Sequence, residues 1–146
     1  MTAVDDAWQA ALAAEHQAAF GYPLLGPQLT GADQALARAC QAAHEALRDT
    51  TAARIAAAKL TPVAPLGDYP RLYPVSGAKA ARALAVRLET DCAAAWRFLY
   101  ATAAAADGNR TLCGQAQQAL TASAVRATRW RIAAGTSPAT VAFPGL

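Results

Sequence analysis

Between Leu60 and Gly77 the chain reads LTPVAPLGDYPRLYPVSG, and its four prolines, Pro62, Pro65, Pro70 and Pro74, rule out a helix there. On both sides the composition leans the other way. About three residues in ten are alanine, the best helix former, and Gly and Pro are confined to a few breaks. The chain therefore divides into two helical halves joined by one long irregular link.

Each half divides again. Val4, Trp8, Leu12, Glu15 and Ala19 recur at helical spacing and predict a helix over 3–20, with a distorted continuation past Pro23 as the alternative, ended by Gly26-Pro27. A second helix, 31–59, opens after Thr30 with Asp33 as a capping-box analogue and carries Leu36, Cys40, His44, Leu47, Thr51 and Ile55. Ser76 is the expected N-cap of a third helix over 77–106, with Leu84, Leu88, Cys92 and Leu99 on its stripe. Asp107-Gly108-Asn109 turns the chain into a fourth, 111–134, bearing Leu112, Ala116, Leu120, Ser123, Ala127 and Trp130. Gly135 is its C-cap, and 136–146 form a tail.

Loop length then selects topology within this single all-α domain. Short breaks make helices one and two, and three and four, antiparallel neighbours. The link over 60–76 can reach about 50 Å, against about 43 Å for helix two, so helix three can start where helix two started. A four-helix bundle with one long crossover is the ferritin-like connection. A folded-back middle loop is the alternative.

The chain has three glutamates and two histidines, few enough to place one by one. Counting residues from the helix ends puts Glu15, His44 and Glu89 in one interior layer. Ferritin-like di-iron sites place their ligands there, one Glu from each of two helices and a Glu-x-x-His pair from each of the others. Gln41-Ala-Ala-His44 matches that pair with Gln in place of Glu, and helix four supplies no Glu or His. It supplies Arg126 and Arg129 instead, which oppose a second metal. The favoured reading is a buried polar network of Glu15, Gln41, His44, Glu89, Arg126 and Arg129. A reduced metal site of Glu15, His44 and Glu89 is the competing one, with no catalytic residue and no cofactor expected. Tyr22, Tyr69 and Tyr73 pin the crossover or line a pocket beneath it. The tryptophans and the three cysteines are read as packing residues.

A net charge of +3, spread thinly, leaves no nucleic-acid footprint, and no apolar run is long enough for a membrane span. The acidic start MTAVDDAWQ lacks the pattern of a signal peptide, so a cytoplasmic protein is expected. No phosphate loop, nucleophile elbow or CxxC is present.

Several short stretches resemble a family of uncharacterised, alanine-rich, ferritin-like domain proteins of actinobacteria. They are Glu15-His16 with Tyr22 and Gly26, His44 with Arg48-Asp49, and Tyr73-Pro74-Val75. Glu89 to Trp96-Arg97, Arg129-Trp130 and Ala142-Phe143-Pro144-Gly145 complete the set, across nearly the whole chain. Glu45 departs from the basic residue expected after His44. The resemblance implies the bundle and brings no activity or substrate. The functional expectation is a non-catalytic binding or interaction module acting through a homodimer or a partner protein. A metal-binding protein and a small-ligand binder under the crossover are the alternatives.

Overall fold

A computed structural model describes residues 1–146. Four helices, α1 (Ala3–Leu25), α2 (Gly31–Ala57), α3 (Gly77–Ala106) and α4 (Arg110–Ala133), form an all-α bundle without strands.

Cross-helix contacts give the directions. Asp33 at the start of α2 pairs with Arg82 at the start of α3, at 2.6 Å, so these helices run parallel. Gln28 reaches Gly77, Tyr22 reaches Glu89 and Gln17 reaches Asp91, so α1 and α3 run antiparallel. The crossover follows α1 from end to end. Gln9 holds the backbone at Thr61 and Val63, His16 meets the Val63 carbonyl at 2.9 Å, and Phe20 packs on Tyr69. The link thus spans the bundle, as its length permits. The closely packed helix pairs are α1 with α2, α1 with α3, and α3 with α4.

The core lies along α1 and α3. Leu12, Leu25, Leu88, Leu99, Trp96 and Trp130 are almost wholly buried, each aliphatic side chain contributing about 1.5–3 kcal/mol. Between them sit small residues such as Ala7, Ala11, Ala81, Ala85 and Ala116, which let the helices approach closely.

Three local expectations are corrected. Helix one runs to Leu25 through Pro23, because burying Tyr22 and Leu25 outweighs the one backbone bond that proline removes. Thr30 and Ser76 do occupy the N-cap positions of their helices, in extended conformation, but make no side-chain cap bond. Tertiary partners replace the local caps: Asp33 is drawn to Arg82, and the Gly77 amide donates to Gln28 Oε1 at 2.9 Å. The true capping box is Thr2 with Asp5. Helix two ends at Ala57 and helix four spans 110–133, within a turn of expectation.

The tail folds back onto α3, where Arg97 donates to the Pro144 carbonyl at 3.0 Å. Gly145 has φ of 83°, and a Cβ there would lie 2.6 Å from the Ala93 carbonyl oxygen. Gly145→Ala is therefore expected to weaken tail docking by about 1–3 kcal/mol. Limited proteolysis should then cleave beyond Gly135 while the urea midpoint of the bundle stays put.

Candidate functional site

Glu15 on α1, His44 on α2 and Glu89 on α3 are completely buried and meet at the bundle centre. His44 uses both ring nitrogens, Nδ1 to Glu15 Oε2 at 2.6 Å and Nε2 to Glu89 Oε1 at 2.8 Å. A ring that faces a carboxylate from each nitrogen donates from both, which makes it an imidazolium. Burial alone would lower the His44 pKa. The hydrogen bonds and charges of Glu15 and Glu89 outweigh it, raising the value to about 9.

The second ion pair comes from α4. Arg126 Nε lies 3.1 and 3.0 Å from the two Glu89 oxygens, and its Nη2 donates to buried Ser123 Oγ at 3.3 Å. Burial would raise the Glu89 pKa, but His44 and Arg126 together hold the carboxyl below its usual range. Two carboxylates thus face two cations, and the layer is neutral as a whole.

Three aromatic donors complete it. Tyr22 donates to Glu89 Oε1 at 2.5 Å, Trp130 Nε1 donates to the Tyr22 oxygen at 3.0 Å, and Trp96 Nε1 donates to Glu15 Oε1 at 2.7 Å. Burial, then the Glu89 charge, push the Tyr22 phenol well up, so it stays a neutral donor. The hydrogen-bonded chain runs Trp96–Glu15–His44–Glu89–Tyr22–Trp130, with Arg126 as a branch. In the whole molecule one buried side-chain polar atom lacks a partner, Thr51 Oγ1, and it lies outside this chain.

Glu15, His44, Glu89 and Arg126 therefore come together, while two of the residues foreseen beside them do not. Gln41 is half-buried and donates to Glu45 at 2.9 Å, because three helical residues leave it about 60° away from His44. Arg129 is exposed for the same reason relative to Arg126 and borders a groove between α4 and the tail. The three tyrosines do not share a pocket. Tyr22 is in the core, Tyr73 is exposed, and Tyr69 alone borders an open cavity of about 500 Å³ beneath the crossover.

Sequence reasoning missed Tyr22, Trp96, Trp130, Ser123 and Cys92 as neighbours of the network. Helical spacing carried the signal: Tyr22 follows Glu15 by seven residues, Trp96 follows Glu89 by seven, and Trp130 follows Arg126 by four. Cys92, one turn beyond Glu89, offers its sulfur within 4.8 Å of ligand atoms of Glu15 and His44. Burial pushes its thiol well up.

A family model described as a domain of unknown function, DUF4439, matches residues 7–146. The chain belongs to the DUF4439 family. Its similarity extends to a solved structure, a conserved hypothetical protein, rv2844, of Mycobacterium tuberculosis. That protein is 31% identical, with 90% of this chain and 96% of the other covered at a TM-score of 0.82. No curated protein matches this DUF4439 chain. No helix in it is long and apolar enough to cross a membrane.

Proposed function

We propose that this chain is a non-catalytic binding or interaction module, a ferritin-like bundle whose ligand layer is a self-sufficient polar network. The observation that carries the reading is that every side-chain nitrogen and oxygen of Glu15, His44 and Glu89 already has a hydrogen-bond partner. Both His44 nitrogens are committed to carboxylates, and Glu89 also accepts from Tyr22 and Arg126. A di-iron centre does not fit these residues, since α4 brings a guanidinium to the layer where ligands would be needed. Such a layer fixes helix register and orientation and leaves recognition to the surface. Exposed Phe98, Ile132, Phe143 and Leu146 support contact with a second copy or a partner protein in the cytoplasm.

One observation favours a second reading. Glu15, His44 and Cys92 form a compact donor group that would suit a single zinc-like ion, provided His44 and Cys92 gave up protons. Elemental analysis after exposure to zinc, manganese and ferrous iron, then dialysis, separates the two. The network reading expects metal far below one ion per chain in wild type and Cys92→Ser alike. Stoichiometric metal that Cys92→Ser loses, with helicity intact, would overturn it. Light scattering tests self-association, and a strict monomer at high concentration would leave the partner protein as the mode of action.

A further inference from the structure

α2 and α4 form the open side of the bundle. The other neighbouring pairs are closely packed, but here a groove of about 360 Å³ remains. Half of its lining is apolar and mostly small, Ala43, Ala46, Ala119 and Ala122 beside Leu47. Four nitrogen-bearing side chains border it: Arg54, Gln115, Gln118 and Arg126.

None of these has its donors used up. Arg54, Gln115 and Gln118 make no side-chain hydrogen bond or ion pair within the chain. Arg126 binds Glu89 through Nε and Ser123 through Nη2, which leaves Nη1 without a protein partner. Its side chain is 14% exposed and lines the groove, with Nε and Nη2 held by Glu89 and Ser123. No carboxylate borders the groove, and Glu89 already neutralises one of its two cations from behind.

We propose that the α2–α4 groove is a binding site for a small organic carboxylate with a short apolar body. The apolar part would lie over the alanines, which are too small to fill the space themselves. The carboxylate would take the free Nη1 donors of Arg126, with Arg54 and the two glutamine amides closing around it. A planar guanidinium preorganised by Glu89 matches carboxylate geometry and loses little entropy on binding. The volume falls at the small end of ligand pockets, which sets the size of the apolar body. The site shares Arg126 with the buried layer but none of the candidate ligand residues Glu15, His44 and Cys92.

The test uses the full chain, labelled with ¹⁵N and titrated with sodium butyrate, sodium benzoate or sodium phosphate, against sodium chloride at equal ionic strength. With a carboxylate, the Arg126 Nε–H signal and the Gln115 and Gln118 amide signals should shift to saturation; chloride should leave them in place. Arg54→Ala should weaken binding by about tenfold. Ala122→Leu, which fills the groove and leaves the network residues alone, should abolish it while the His44 ring signals stay unchanged. Saturation by phosphate alone, shifts that follow ionic strength, or binding retained in Ala122→Leu would each overturn the proposal.

Discussion

Glu89→Ala is expected to destabilise the bundle by about 3–5 kcal/mol, the range for removing one partner from a buried ion pair. The reason is what it strands. His44 Nε2, Arg126 Nε and the Tyr22 hydroxyl all lose their acceptor at once, and His44 and Tyr22 are buried too deeply for water to replace it. Glu89→Gln keeps one carbonyl acceptor and should cost clearly less, while Arg129→Ala, on the exposed face of the same layer, should cost under about 0.5 kcal/mol. Urea unfolding of the three variants checks the order. A Glu89→Ala loss within about 1 kcal/mol of wild type would mean that the network contributes little to stability.

Stability should also fall as the solution becomes alkaline, which follows from the state of His44. Burial opposes its charge, yet the carboxylates of Glu15 and Glu89 raise its pKa from 6.5 to about 9. A folded value above the unfolded one means the contribution is complete below pH 6.5 and is lost as pH rises through 9. The loss is on the order of 3 kcal/mol. Glu89 acts in the opposite sense. Its carboxyl is held down by His44 and Arg126 against the effect of burial, so its contribution is present above the ordinary carboxylate range and disappears in acid. The profile should therefore be flat in weakly acidic solution and fall on either side. Urea midpoints across the whole profile measure it, and His44→Gln should remove the alkaline slope and lessen the acid one, since His44 helps hold the Glu89 carboxyl down. A flat wild-type curve to pH 9 would contradict the imidazolium.

The network also shows why some residues were legible in sequence and others were not. Glu15, His44 and Glu89 stood out because a charged residue on an otherwise apolar stripe has to be matched by a partner in the interior. Tyr22, Trp96 and Trp130 carried no such contrast, since an aromatic residue on a core stripe is ordinary packing whether or not its N–H or O–H finds an acceptor. Gln41 and Arg129 were misplaced for a simpler reason. Three residues along a helix leave a side chain about 60° off its reference, enough to move it from the core to its margin.

Four helices, two short turns and one crossover long enough to span the bundle were set by the sequence alone. Helical periodicity, alanine content and proline position are local properties, and the length of an extended chain against the length of a helix is arithmetic. Which donors satisfy which acceptors was decided only by the tertiary structure. So were the failure of Thr30 and Ser76 as side-chain caps, the docking of the tail on Ala93 and the open seam between α2 and α4. Each depends on how the helices are rotated about their axes, and a rotation of a few tens of degrees is invisible to a stripe of apolar residues. It is enough to turn a guanidinium from solvent to a buried carboxylate.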